Sequence, residues 1–364
     1  GVTGKVYKTY DSMSAELFKS FKTNKNTSFE EDEFSLKFFI ELQMRSSIKM
    51  LERLQNYIAL VTVGTIADIM PLYGENRNLI IYGLDVLKRG KGHTGIQTMM
   101  NKSEASSKAI SWDIAPLLNT PGRLGETDLT VNFFINRDEL NIGELLKQIE
   151  KLNRERRKIV TALTDKIKNL ISLKPEINSQ KIFFYMDDEI KEGLAGLIAS
   201  RIADEIKKPV IIATGDSSSD LLKGSGRSYG NFNFFSYVEP HAALFERIGG
   251  HAQAFGFTAS RDKIIEIISR INDAIGDNYS SEEIIRIDTI MNSDDINSSF
   301  IETLSLLEPF GKNNEEPVFV SFGIEIESFA KFGTSENHGR YVLKNGVHAI
   351  GWNIGEKMAY YAQS

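Results

Sequence analysis

Apolar residues recur along the chain at spacings that predict helices in some segments and strands in others. Over residues 142–171 the apolar positions step by threes and fours, which predicts one long amphipathic helix. Residues 57–64 form a continuous apolar run ended by glycine, a pattern typical of a buried parallel strand. Strand patterns at 181–187 and 209–214 flank a helical pattern at 192–207. This alternation predicts an α/β domain in the middle of the chain.

The last part of the chain has a different pattern. Residues 261–276 predict an amphipathic helix, and beyond residue 283 the sequence changes character. Segments 318–333, 340–346 and 347–355 alternate short apolar stretches with glycine-containing turns. They predict short strands of a separate β-rich region.

Composition narrows the class of protein. The 364 residues contain 41% hydrophobic and 25% charged residues, an ordinary globular composition. We find no apolar run long enough to span a bilayer. The absence of cysteine excludes disulfides, thiolate metal sites and cysteine nucleophiles, and it suits a reducing cytoplasm. The net charge of −6 argues against nucleic-acid binding over the whole surface but permits a local basic groove. Because the sequence opens on Gly1 without Met, we expect a fragment of a longer protein.

Two glycine-rich segments, 224–228 and 248–251, hold the most suggestive chemistry, and both are predicted to be loops. Glycine lets backbone N–H groups approach an anion, and an arginine fork fits phosphate oxygens two at a time. Serine hydroxyls and a histidine ring add donors. The predicted phosphate ligands are Ser225, Arg227, Ser228, Gly249, Gly250 and His251. The alternative is a pair of tight turns that use glycine for geometry alone.

Several other polar or aromatic residues allow a functional and a structural interpretation. Asp68 follows the predicted strand, where open α/β sheets place ligands, but an aspartate there also suits a helix N-cap or turn. Asp187 and Asp188 are interpreted as a turn at a strand end. The aromatic residues between 232 and 237 could stack on bases, but core packing is the better interpretation.

Five motifs give the chain a family resemblance. The segments GTIADIMPLYGENR, WDIAPLLNTPGRLG, KGSGRS, IGGHAQAFGFT and LEPFG occur in this order. They resemble motifs of the RecJ family of single-strand-specific exonucleases in the DHH phosphoesterase superfamily. The chain departs from the family pattern at Ile66, which replaces valine, at Leu117, which replaces arginine, and at Thr120 and Pro121, which replace alanines. The family's upstream Asp-x-Asp, Asp and Asp-His-His motifs are not found in this sequence.

The resemblance implies an α/β fold with four parts. Residues 1–141 would be the C-terminal part of a DHH parallel-sheet domain, and residues 142–172 a long basic connecting helix. Residues 173–278 would form an α/β DHH-associated substrate-binding domain. Residues 279–364 would form part of an OB-type β-barrel that binds nucleic acid.

The resemblance also implies an activity and its residues. The family hydrolyses phosphodiesters of single-stranded DNA from the 5′ end with two divalent ions, Mn²⁺ or Mg²⁺, in DNA repair and recombination. Asp68 would be a catalytic metal ligand and Arg123 a phosphate ligand, although a helix-end salt bridge is the structural alternative for Arg123. Because most metal ligands are missing, we expect this chain alone to be inactive. Further groove contacts would come from Asn119, Arg154, Arg157, Lys331 and Arg340.

The expected setting is a cytoplasmic monomer that binds single-stranded DNA, with a single-strand-binding protein or helicase as partner and no membrane contact. Three other functions remain open. One is a non-catalytic single-stranded nucleic-acid-binding module, and the second is a DHH phosphoesterase acting on short oligonucleotides. The third is a structural scaffold that holds a helicase or another partner, which the predicted phosphate ligands disfavour. The long basic helix and the β-rich end favour a polymeric substrate over the second alternative.

Overall fold

The structure is a computed structural model that describes residues 48–100, 104–136, 138–215, 219–275, 285–333, 336–352 and 354. Predictions that fall on residues 1–47, 276–284 and 355–364 lie outside the described residues. The chain divides into two compact units. One comprises residues 1–70 and 74–284, and the other comprises residues 71–73 and 285–364. Among the described residues, no helix is long and apolar enough to cross a membrane.

The first described part of the larger unit is helical. Its longer helices are α1 (Ile48–Ala67), α2 (Gly74–Lys88), α3 (Thr94–Met100), α4 (Ala115–Leu124), α5 (Thr127–Ile135) and α6 (Glu139–Leu173). A short α-helix (Ser107–Ala109) and a π-helix (Ile110–Ile114) lead into α4. The predicted long helix is confirmed as α6, whose N-cap Asp138 accepts a hydrogen bond from the Leu140 backbone N–H at 3.2 Å.

The strand predicted over residues 57–64 is wrong, because this run lies inside α1. Its buried residues, Ile58, Ala59, Thr62, Val63 and Ile66, recur at helical spacing. Between them, Leu60 is half-buried and Val61 is exposed, and these two apolar residues gave the run its strand-like continuity. A short apolar run is compatible with a buried helix as well as a buried strand. The described residues between 48 and 173 contain helices and no strand.

The rest of the larger unit is a five-stranded sheet with helices. Its elements are β1 (Phe183–Met186), α7 (Glu192–Ile206), β2 (Val210–Thr214), β3 (Leu221–Arg227), β4 (Arg247–His251), β5 (Ala254–Ser260) and α8 (Arg261–Ala274). The strand order is β1-β2-β3-β5-β4, with β1 and β2 parallel and the other pairs antiparallel. The predicted β-α-β alternation is confirmed as β1, α7 and β2.

Both glycine-rich segments were predicted as loops, and both are strands. Gly224 lies opposite Phe257 and Gly226 opposite Phe255 in the β3–β5 ladder. A Cβ on Gly224 would lie 2.4 Å from Phe257 Cζ, and one on Gly226 would lie 2.1 Å from Phe255 Cε1. These two glycines therefore make room for aromatic rings of the core, and not for an approaching anion.

Two hydrophobic clusters hold this sheet region together. One buries Phe234, Phe255 and Phe257 against α8 residues such as Ile264. This places the aromatic segment 232–237 in the core, as the structural interpretation predicted. The other cluster packs α6 and α7 against the opposite face of β1 and β2. The sheet is thus covered by helices on both faces, as expected of an α/β domain.

The smaller unit is β-rich. Its elements are β6 (Thr289–Ile290), α9 (Ser298–Ser305), β7 (Phe319–Val320), β8 (Ile326–Phe332), β9 (His338–Leu343) and β10 (His348–Gly351). Strands β10, β9 and β8 form an antiparallel sheet, and β6 pairs with β7 in parallel. Residues 71–73 belong to this unit, where the Leu72 backbone N–H donates to Lys312 O at 2.7 Å.

Candidate phosphate-binding site

The end of α1, the C-terminal half of α4 and the start of α7 enclose an open cleft of about 610 Å³ in the larger unit. The lining residues are Gly64, Ala67, Asp68, Asn119, Gly122, Arg123 and Gly193. The structure therefore brings together three residues that the sequence singled out separately, namely Asp68, Asn119 and Arg123. They come from two segments that are more than fifty residues apart in the chain.

Asp68 lies just past the C-terminus of α1, where its backbone N–H donates to Gly64 O at 3.0 Å. The N-cap alternative for this residue is wrong, because an N-cap precedes a helix and Asp68 follows one, whereas the turn alternative is confirmed. The side chain is exposed. A negative charge at the C-terminal end of a helix is electrostatically unfavourable. A cation bound at Asp68 would offset that repulsion.

The described residues do not fit a two-metal centre. Among them there is no group of three or more His, Cys, Asp or Glu side chains placed to hold a metal ion. Asp68 lines the cleft beside an amide, an arginine and backbone, and these supply no further carboxylate or imidazole. A single carboxylate leaves most positions of a hard cation to water or to other groups.

Arg227, at the end of β3, is held in a defined orientation. Its Nη1 donates to Ser225 Oγ at 2.7 Å and to Gly226 O at 2.8 Å. Ser225 Oγ in turn donates to Phe255 O at 3.1 Å. The Ser225 hydroxyl proton is thus engaged with the sheet, and its lone pair orients the guanidinium. The role that the geometry gives Ser225 is to position Arg227.

Two glycines of α7 let both arginines lie against that helix. A Cβ on Gly196 would lie 2.6 Å from Arg227 Nη2, and one on Gly193 would lie 2.3 Å from Arg123 O. Arg123 Nη1 also donates to Gly193 O at 3.2 Å, so the salt-bridge interpretation of Arg123 is replaced by a backbone contact. The role of these glycines was missed from the sequence, although their i, i+3 spacing at the start of a helix was a visible signal.

The electrostatics of this region are dominated by arginine. Burial lowers the pKa of Arg123 below its usual value. Burial also lowers the pKa of Arg227, and the positive charge of Arg123 lowers it further. The pKa of Arg156 on α6 falls through burial and then through the charges of Arg157, Arg123 and Arg201. Arginine stays protonated under ordinary conditions, so half-buried positive charges accumulate here. Such a group binds anions, and phosphate above all.

Apart from Arg123, the predicted phosphate ligands do not line the cleft, Ser225 and Arg227 among them. The Ser228 hydroxyl donates to Phe232 O and its N–H donates to Gln253 O, so Ser228 closes a turn. Gly249, Gly250 and His251 lie exposed on β4, an edge strand of the sheet. His251 Nδ1 accepts a hydrogen bond from the Gln253 backbone N–H at 3.3 Å. These three residues offer an exposed edge, separated from β3 by β5.

Arg154 and Arg157 are exposed on α6. In the smaller unit, Lys331 lies on β8 and Arg340 on β9, with the Arg340 guanidinium carbon 5.7 Å from the centroid of the Phe332 ring.

An exposed aromatic group of the smaller unit was missed from the sequence. Trp352 is 64% exposed, and its ring contacts Phe332 and His338 with centroid distances of 5.6 and 5.0 Å. Exposed aromatic rings beside a cation are the usual means of stacking single-stranded bases.

The chain matches two known domain families. The DHHA1 domain matches residues 178–277, and the RecJ OB domain matches residues 287–364. Curated relatives include the single-stranded-DNA-specific exonuclease RecJ of Bacillus subtilis, which is 29% identical over 309 residues. The enzyme of the same name from Thermus thermophilus is 29% identical over 310 residues.

These matches cover most of this chain and less than half of each relative. They span 82% of this chain, with 39% of the Bacillus subtilis protein and 43% of the Thermus thermophilus protein. The crystal structure of Thermus thermophilus RecJ in complex with Mn²⁺ superposes with a TM-score of 0.72 at 26% identity. The superposed region covers 83% of this chain and 45% of the Thermus thermophilus chain. A structure of the same protein with Mg²⁺ gives a TM-score of 0.70.

Proposed function

We propose that this chain, which matches the DHHA1 and RecJ OB domains and is similar to RecJ proteins, serves a single-stranded-DNA-specific 5′→3′ exonuclease as its strand-holding part. The observation that supports this proposal most directly is the arginine group beside the cleft. Arg123 and Arg227 lie against α7 with no carboxylate among their recorded hydrogen-bond partners in the described part of the chain. A phosphate group would supply the missing negative charge.

In the proposed complex, Arg227 and Arg123 grip the 5′ phosphate or the adjacent backbone of the strand, and Ser225 keeps the Arg227 fork in position. Asp68 lies in the cleft that Arg123 also lines, so a phosphodiester held there lies near the carboxylate. Gly249, Gly250 and His251 would meet phosphates further along the strand. In the smaller unit, Arg340, Lys331 and the ring of Trp352 would hold bases and backbone.

The hydrolytic step requires more than the described residues supply. RecJ structures contain Mn²⁺ or Mg²⁺, and such ions activate water for phosphodiester hydrolysis. Asp68 would give one ligand, and the described part of this chain contains no cluster that completes the site. We propose that the chain as given binds the strand without cleaving it. The setting we propose for the intact enzyme is DNA repair and recombination in the cytoplasm, as a monomer, with a single-strand-binding protein or helicase as partner.

The arginine group also supports a second candidate function. A non-catalytic single-strand-binding module would need the arginines and the aromatic group, but no metal ligands. The two candidates differ in the role of Asp68. In an exonuclease, Asp68 contributes to the reaction, so replacing it lowers nuclease activity. In a binding module, Asp68 is only a residue at a helix end, and replacing it leaves strand binding unchanged.

Two measurements test the proposal. Fluorescence anisotropy with 5′-phosphorylated single-stranded DNA should show tighter binding than with a blunt duplex. Arg227→Ala should weaken binding and reduce the salt slope by about 0.7 to 1, because one phosphate contact is lost. A salt slope that does not change would contradict the phosphate assignment.

The second measurement is digestion of the same strand with added Mn²⁺. We expect the chain as given to leave the strand intact and a longer RecJ-type protein containing it to digest it. In that longer protein, Asp68→Asn should abolish digestion while the strand stays bound. Digestion by the chain alone would show that one carboxylate suffices and would refute our account of the site. Binding without digestion by both proteins would favour the binding-module function.

A further inference from the structure

Arg156 lies in the middle of α6 with its guanidinium partly withdrawn from solvent. Its Nε is buried and has no hydrogen-bond partner in the described part of the chain. A buried donor without a partner is costly, and a charged donor more so. An ion or an ordered water can complete such a group. For a guanidinium, an anion gives the stronger, charge-assisted bond.

The side chains around Arg156 add to its need for an anion. Arg201 of α7 lies against α6, where its Nη1 donates to Thr161 Oγ1 at 3.2 Å. Arg123 of α4 lies against α7, where its Nη1 donates to Gly193 O. The charges of Arg157, Arg123 and Arg201 all lower the pKa of Arg156. Four positive charges therefore lie near one another where α4, α6 and α7 come together.

The backbone at this junction is fixed by a polar contact. Thr120 Oγ1 on α4 donates to Asn153 Oδ1 on α6 at 3.2 Å, and both residues are buried. Each lies three positions before an arginine of the group, Arg123 on α4 and Arg156 on α6. The contact therefore holds the two helices in a defined register one turn away from the charges. The contact preorganises the backbone that carries Arg123 and Arg156, whereas Arg201 is an exposed side chain.

Arg123 belongs to two sets of neighbouring charges. Arg123 and Arg227 both lie against α7, at Gly193 and Gly196. The charge of Arg123 lowers the pKa of Arg156 as well as that of Arg227, whereas Arg227 is not among the charges that lower the pKa of Arg156. Arg123 is thus shared by two groups of arginines, one with Arg227 and one with Arg156.

We propose that Arg156, Arg201 and Arg123 form a second phosphate subsite, which takes the phosphodiester that follows the phosphate held by Arg227. This inference rests on the proposed function, because it assumes that the Arg227 side of the group binds the first phosphate. A ligand with two phosphates in sequence would contact both subsites, whereas a mononucleotide would contact one. The site therefore selects a strand over a single nucleotide.

The test compares two ligands on the full chain by isothermal titration. These are thymidine 5′-monophosphate and the 5′-phosphorylated dinucleotide of thymidine. We expect the unmodified chain to bind the dinucleotide more tightly. Arg156→Gln should weaken dinucleotide binding by about tenfold, the effect of one charge-assisted contact, and leave mononucleotide binding within about twofold. Arg156→Lys should recover part of the difference, since lysine keeps the charge but loses the planar fork.

Arg270→Gln is the matched control, because Arg270 is exposed on α8 and already paired with Glu266. It should change neither affinity. Thermal unfolding of each variant shows whether the fold is intact, and Arg156→Lys is the variant to measure if Arg156→Gln does not fold. Equal losses for the two ligands, or no loss for either, overturn the second subsite. Arg227→Gln separates the two claims, because unchanged mononucleotide binding in that variant overturns the proposed function itself.

Discussion

Gly196→Ala should separate phosphate binding from stability, because the added methyl group meets a side chain and not the backbone. The new Cβ would lie 2.6 Å from Arg227 Nη2 and 3.2 Å from Ser225 Oγ. The Arg227 guanidinium must therefore swing away, which breaks its bonds to Ser225 Oγ and Gly226 O. Nothing in the helix itself has to move.

The two effects on stability oppose each other. Alanine is favoured over glycine in a helix interior by roughly 0.5 to 1 kcal/mol. Two lost hydrogen bonds cost roughly 0.5 to 1.5 kcal/mol each. We expect the free energy of unfolding to fall by at most roughly 2.5 kcal/mol. Loss of the charge-assisted contact to phosphate should cost roughly 1.5 to 3 kcal/mol, or about tenfold to a hundredfold in affinity.

The assay pairs anisotropy with 5′-phosphorylated single-stranded DNA and urea unfolding. Gly143→Ala is the matched control, because Gly143 also lies within a helix, α6, and a Cβ there meets nothing within 4 Å. It should raise stability slightly and leave binding unchanged. A folded Gly196→Ala variant that binds as tightly as the original chain would refute the reasoning, because Arg227 would then not need its observed position.

Three further predictions follow from other contacts. Gly193→Ala should lower the free energy of unfolding by about 1 to 3 kcal/mol in urea titrations, since the new Cβ would lie 2.3 Å from the backbone Arg123 O and α4 must shift; an unchanged midpoint would contradict that packing. Trp352→Ala should weaken single-strand binding by about 1 to 3 kcal/mol with little change in salt slope, because stacking carries no charge; anisotropy at several salt concentrations measures both. Burial, followed by the hydrogen bond to Asp187, raises the pKa of Tyr185 to about 12, above the usual value of about 10. Because the unfolded chain loses the tyrosine proton first, the stability that comes from the raised pKa is complete below pH 10 and is lost as the pH rises towards 12. The urea midpoint should therefore fall less steeply between pH 10 and 12 for Tyr185→Phe than for the original chain.

The helices and the β-α-β order could be predicted because their signals are local. The threefold and fourfold spacing in 142–171 belongs to α6 alone, and no distant residue can alter it. The run at 57–64 failed because a buried helix and a buried strand give the same continuous apolar pattern. What decides between them is whether a neighbouring strand is available, and this depends on the fold of other segments.

The glycine-rich segments failed for a related reason. Glycine signals that a side chain is excluded, but it does not say what excludes it. At Gly224 and Gly226 the excluding groups are Phe257 and Phe255, which lie 33 and 29 residues further along the chain and meet these glycines only when β3 pairs with β5. The arginine group is likewise tertiary, because Arg123, Arg156 and Arg201 stand on three different helices. The family motifs indicated Arg123 and Arg227, whereas Arg156 carried no signal of its own.

The continuity of α6 limits how this sequence can change in evolution. Its first half packs Ile142 and Ile149 with Phe133, and its second half packs Val160, Leu163 and Ile167 with the sheet region. One residue inserted in the middle of α6 would rotate the second half of the helix by about 100° relative to the first half. The apolar side chains of one half would then no longer face their partners. Insertions or deletions of about seven residues, two full turns, come closest to restoring the phase. Substitutions on the exposed face of α6 should therefore accumulate among relatives, while its length stays fixed.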